Sequence, residues 1–137
     1  MFTLTLVTPE KKLVAGAEIE EVFVPAFRGE LNILPGHAPL MSTLETGVLR
    51  YRLKGESTLR PVAISWGYVQ VNPQGVNILA ETAERAEDLD MKRVDEAFKD
   101  AQAKMGTDMT PDEIEKVRLK IARAMARKEV ASTQGTH

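Results

Sequence analysis

The chain contains no cysteine, which excludes disulfides, cysteine-based zinc sites and thiol catalysis together. Histidine is nearly as scarce. Only His37 and His137 occur, too few for a histidine-rich metal site. No apolar run approaches the ~20 residues of a membrane-spanning helix, so direct membrane insertion is not expected. An excess of one charge is also missing. With 18 Lys and Arg against 20 Asp and Glu, the net charge is −2, which argues against nucleic-acid binding through a broad basic face. Aromatics make up only 5%. Six of the seven (Phe2, Phe23, Phe27, Tyr51, Trp66 and Tyr68) lie in the first half, which points to that half as the seat of the main core.

What is present is ordinary globular material. The 137 residues are 43% apolar and 28% charged, enough for one compact core with a small satellite. The opening, MFTLTLVTPEKKL, alternates apolar and polar residues and has neither a charged n-region nor a small-residue cleavage site. It does not read as a secretory or transit signal, and a cytoplasmic chain is expected.

The pattern changes near residue 80. Before it, apolar residues follow a two-residue period: Phe2, Leu4 and Leu6; Leu49, Tyr51 and Leu53; Val69 and Val71. Such alternation places one strand face on a core and the other in water. Turns recur at Leu34–His37, Lys54–Ser57 and Asn72–Gly75. Short strands at this spacing predict an antiparallel β-sandwich over residues 1–86. Residues 87–137 then predict an antiparallel two-helix hairpin. Leu89, Val94, Phe98, Ala101 and Met105 recur at helical spacing, Asp90 is the best cap, and the sheet is expected to run through Glu81–Glu87. Gly106 is the expected C-cap. Thr110-Pro111-Asp112-Glu113 forms a cap, first-turn proline and capping box. Ile114, Val117, Ile121 and Met125 would line one face of the second helix, and Ser132–His137 would fray. Small apolar residues dominate both helices, so the hairpin should lean on the sandwich or on a partner.

No catalytic constellation is present: there is no GxSxG, phosphate-binding loop, dinucleotide fingerprint or HExxH. Glu20-Glu21 and Glu87-Asp88 read as surface charges, since adjacent strand residues face opposite ways. His37, between Pro35 and Pro39, has no partner in sequence that would make it a base. The chain is not expected to be an enzyme. From Lys116 to Lys128 there are six bases and no acid, either a solvated face or a strip for an acidic partner.

The segment Gly29-Glu30-Leu31-Asn32-Ile33-Leu34-Pro35-Gly36-His37-Ala38-Pro39-Leu40 resembles the epsilon subunits of bacterial and chloroplast F-type ATP synthases, homologues of the mitochondrial delta subunit. Val7-Thr8-Pro9-Glu10, Val22-Phe23-Val24-Pro25, Ser65-Trp66-Gly67-Tyr68-Val69 and Val76–Glu84 agree in order and spacing. The resemblance implies a non-catalytic rotor subunit, peripheral on the cytoplasmic face of the membrane. Its implied partners are the gamma subunit, the c-ring and the alpha and beta subunits, and its hairpin would restrain ATP hydrolysis. It places Glu30, Leu34, Pro35, His37 and Pro39 at the gamma and c-ring interface. It also implies ATP as a regulatory ligand, with no cofactor required, held by Glu84, Leu89, Asp90, Arg93, Arg123 and Arg127. Val94 stands where such relatives carry Ala, and Asp100 where they carry Arg. The alternative is a free-standing ATP-sensing protein of the same architecture.

Overall fold

The computed structural model describes residues 1–104 and 109–134. Seven strands come first: β1 (Thr3–Val7), β2 (Lys12–Ala26), β3 (Gly29–Ile33), β4 (Leu40–Leu44), β5 (Gly47–Leu53), β6 (Arg60–Asn72) and β7 (Gly75–Glu84). A single 3₁₀ turn at Ala86–Asp88 leads to helices α1 (Met91–Lys104) and α2 (Pro111–Gln134). The sheet therefore ends at Glu84, short of the expected Glu87. The expected C-cap at Gly106 and the end of the chain from 135 onward lie outside the described residues, whereas Ser132–Gln134 continue α2 instead of fraying.

The strands close on themselves, β1 to β7 to β6 to β5 to β2 and back to β1, while β4 and β3 extend the β6 and β2 edges. Every pairing is antiparallel except β1 with β7, which run parallel. Closure is helped by a bulge in β2 at Gly16, where φ is +66°, a left-handed value natural to glycine. There the Gly16 N–H donates to Thr5 Oγ1 at 3.2 Å. Leu4, Leu6, Val22, Val24, Ile33, Leu49, Val62, Val69 and their neighbours fill the interior with aliphatic side chains.

The paired strands β6 and β7 are long enough for their inward phase to change midway. Val62 and Ile64 face the core at one end of β6, and Val69 and Val71 at the other. On β7 the same change separates Ala80 from Ala83. At the crossing the strands nearly touch: a Cβ on Gly67 would lie 2.0 Å from the Leu79 carbonyl oxygen. Only glycine fits there. The main core does lie in the strand-forming part, but not every aromatic there belongs to it. Phe2 and Tyr51 are core residues, but Phe27, Trp66 and Tyr68 are 68%, 55% and 47% exposed.

The hairpin lies folded down. Asp90 caps α1, its Oδ1 accepting from the Lys92 N–H at 3.1 Å. Thr110 caps α2 through the Glu113 N–H at 3.2 Å and donates its hydroxyl to Glu113 Oε1 at 3.1 Å. The Lys128–Asp95 ion pair, 3.2 Å long, joins the C-terminal part of α2 to the start of α1, as an antiparallel pair requires. The buried stripe of α2 differs from the one expected. Val117, Ala124, Ala126 and Val130 are buried, while Ile114 and Met125 face solvent. Ala126 and Val130 pack on Val48 and Ala63 of the sandwich. A close seat on a sheet selects small residues, and these positions supply them.

Candidate functional site

Two surfaces concentrate the candidate residues. The first is the β3–β4 loop and the sheet face beside it. The loop is a tight turn, with the His37 N–H donating to the Leu34 carbonyl at 3.0 Å. Leu34, Pro35 and Pro39 are exposed and His37 is half-buried. The His37 Nδ1–H donates to the Ala38 carbonyl at 2.7 Å, which fixes the ring and leaves Nε2 outside that bond. Glu30, exposed on β3, lies 3.4 Å from Arg50 Nη1.

Next to this loop stands an exposed apolar face. Thr43, Tyr68, Leu79 and Val7 pair in succession across β4, β6, β7 and β1. Met41, 68% exposed, sits two residues from Thr43, and the Phe27 N–H donates to the Thr43 carbonyl at 3.2 Å. Exposed bulky residues on adjacent strands mark an interaction surface. The signal was available: Val69 and Val71 inward place Tyr68 and Trp66 on the outer face.

The second surface lies where α1 and α2 meet the end of β7. A cleft of about 360 Å³ is lined by Glu84, Asp88, Leu89, Asp90, Arg93, Val94, Ala97 and Arg127. Five of the six proposed ATP contacts thus share one cleft. Arg127 Nε donates to Glu84 Oε1 at 2.7 Å, and Leu89 also packs against the Ala126–Val130 seam. The sixth, Arg123, is set apart. It lines a neighbouring cleft of about 290 Å³ with Asp100, Lys104, Lys120 and Arg127, and Ala97 and Arg127 line both clefts. Among the described residues, Arg123 Nε is buried without a hydrogen-bond partner, an unusual condition for a charged group. Four cations around one acid give that second cleft an anion-binding character.

The basic run of α2 is divided between two surroundings. Lys116, Arg118 and Lys120 are exposed, whereas Arg123, Arg127 and Lys128 are partly buried. Lys128 Nζ also stands 4.5 Å above the Phe98 ring, a cation–π contact. Glu21, read as a surface charge, is 17% exposed and accepts from Arg52 at 2.9 and 3.1 Å. Among the described residues, no group of three His, Cys, Asp or Glu is placed to hold a metal ion. Likewise, no described helix is long and apolar enough to cross a membrane.

Comparison with known proteins agrees with the fold. The family model described as "ATP synthase, Delta/Epsilon chain, beta-sandwich domain" matches residues 1–86. A protein named ATP synthase epsilon chain from Bdellovibrio bacteriovorus is 52% identical over 110 residues, 80% of this chain and 79% of that one. Its namesake from Desulfitobacterium hafniense strain Y51 is 39% identical over 126 residues, 92% of each. In fold, the chain is similar to one in the Euglena gracilis mitochondrial ATP synthase structure of OSCP, F1 and c-ring. That match has a TM-score of 0.78 at 23% identity and covers 90% of this chain and 78% of that one.

Proposed function

The chain belongs to the ATP synthase delta/epsilon family, and from that premise we propose how its two parts serve the enzyme. It is a non-catalytic subunit of the rotor stalk of F-type ATP synthase. The sandwich is the docking part. Its apolar face around Met41, Trp66 and Tyr68 seats on the gamma subunit. The Leu34–Pro39 turn and Glu30 meet the polar loops of the c-ring. The alpha and beta subunits lie within reach of the hairpin once it extends. These contacts hold the chain peripherally at the cytoplasmic face of the membrane. The observation that carries the reading is the exposed face itself, since bulky apolar side chains on adjacent strands call for an occupant. The free-standing alternative leaves that face bare.

Tagged chain purified from its own membranes tests the assignment. Gamma, c-ring, alpha and beta subunits are expected to come with it, and Tyr68→Glu should release them while the sandwich stays folded. Recovery of the chain alone, or full assembly of the Tyr68→Glu variant, would overturn it.

The two adjoining clefts serve regulation. ATP places its phosphates toward Arg123 and Arg127 and its remainder toward Leu89, Asp90 and Arg93, which stabilises the folded-down hairpin. The unpartnered Arg123 Nε supports an anion there. Asp100 faces the same space and opposes it, so binding in the millimolar range is expected. At ten times the dissociation constant, ATP should add about 1.4 kcal/mol of stability. Arg127→Gln should remove that gain. Calorimetry showing no heat and no stabilisation at millimolar ATP would reject the ligand.

A further inference from the structure

Arg50 stands at the junction of the two parts. It lies on β5, its backbone register fixed by Phe23 on one side and Pro61 on the other. Its guanidinium forks to two carboxylates on different elements. Nη1 lies 3.4 Å from Glu30 Oε2 on β3, and Nη2 donates to Glu129 Oε1 on α2. The other described ion pairs do not do this. Arg127–Glu84 and Lys128–Asp95 hold the hairpin without touching the β3 edge. Arg52–Glu21, Lys54–Glu18 and Arg60–Glu56 stay within the sandwich.

We propose that Arg50 couples the β3 edge to the seating of the hairpin. A cationic partner surface that takes up the Glu30 carboxylate tightens α2 on the sandwich, and release of α2 makes Glu30 harder to engage. The sign follows from the four combinations. With the hairpin seated, Arg50 divides its donors between Glu30 and Glu129, and the two like charges repel across it. With the hairpin lifted, Arg50 turns wholly to Glu30 and can improve on the 3.4 Å contact. Withdrawing Glu30 therefore penalises the lifted state, where Arg50 is left with no carboxylate. The seated state keeps Glu129 and loses a repulsion. By reciprocity, the lifted state binds Glu30 internally and weakens its hold on the partner by the same factor. Both carboxylates are about half exposed, at 52% and 53%. The coupling is accordingly that of an exposed pair, roughly two- to five-fold, and salt screens it.

Only the biological trigger rests on the docking role proposed for the Glu30 edge. The coupling is measured on the isolated chain and holds or fails without that role. Amide exchange over the C-terminal half of α2 reads the lifted fraction, and Trp66 fluorescence reports that the sandwich is intact. Glu30→Gln is expected to slow α2 exchange two- to five-fold at low salt and to have no effect at molar salt. In a Glu129→Gln background the same change should leave exchange unaltered, and in an Arg50→Gln background it should slow exchange less, through the Glu30–Glu129 repulsion alone. Faster or unchanged exchange in Glu30→Gln would overturn the coupling. So would an equal slowing in the Arg50→Gln background, which would mean that Glu30 acts by another route.

Discussion

Val130→Ala tests how the hairpin is held. Val130 is fully buried, in a seam with Val48, Ala63 and Ala126 that is separate from the main interior of the sandwich. The substitution removes two carbon atoms from that seam. At about 0.8 kcal/mol per buried carbon the loss is about 1.6 kcal/mol, and a residual cavity raises it toward about 2.5 kcal/mol. A single lifted helix is marginal in water, so its amides exchange freely once α2 leaves its seat. The lifted fraction, and with it the exchange rate across α2, should rise about 15-fold from the transfer term alone. The sandwich should be indifferent. Its urea midpoint, followed by Trp66 on β6, should match that of the parent chain. If the midpoint falls by the same free energy, hairpin and sandwich unfold as one unit and the seam is part of the main core. If α2 exchange stays unchanged, the seam does not hold the hairpin.

Gly67→Ala should destabilise the sandwich by about 3 kcal/mol or more, because its Cβ would meet the Leu79 backbone and neither strand can yield; urea unfolding measures this. The bidentate bond from Arg60, 3.0 and 2.6 Å long, holds the Glu56 carboxyl below its ordinary value of 4.5. That pair stabilises the fold above the ordinary value, and the contribution disappears as pH falls through the lowered one. Arg60→Gln should return the Glu56 midpoint upward in a carboxyl NMR titration. Truncating the chain after Met105 removes α2 and the exposed Lys116, Arg118 and Lys120. ATP hydrolysis by the assembled enzyme should then rise while assembly persists, and an unchanged rate across ATP concentrations would leave those bases without an inhibitory role.

Features set by neighbouring residues were legible in the sequence. The Asp90 and Thr110 caps are local hydrogen bonds between residues two or three apart, and composition and order announce them. Alternation likewise located β1, β5 and the second half of β6. What failed was set by distant packing. The concentration of aromatics places the core in the first half but does not say which of them enter it, and Trp66 and Tyr68 face outward beyond the phase change on β6. Ile114 and Met125 looked like the natural stripe of α2, but the close seat on Val48 and Ala63 favours Ala126 and Val130. The Arg50–Glu129 contact joins residues 79 apart, beyond any local pattern. The convergence of Glu84, Leu89, Asp90, Arg93 and Arg127 on one cleft was expected from family resemblance, not from the residues. Resemblance also grouped Arg123 with them, where the geometry assigns it to the adjoining cleft.

β6 carries Ala63 beneath the hairpin and Tyr68 on the exposed apolar face. Five residues of extended backbone separate them, about 17 Å. In a subunit that turns with a shaft, this strand is a load path. A tug applied at Tyr68 travels along covalent bonds and the flanking β7 ladder before any side chain can relax. Gly67 lies where the two strands nearly meet. On the docking proposed for the Tyr68 face, the seat of the hairpin and the surface that meets the shaft are joined along one continuous strand, so a load at one reaches the other through the backbone.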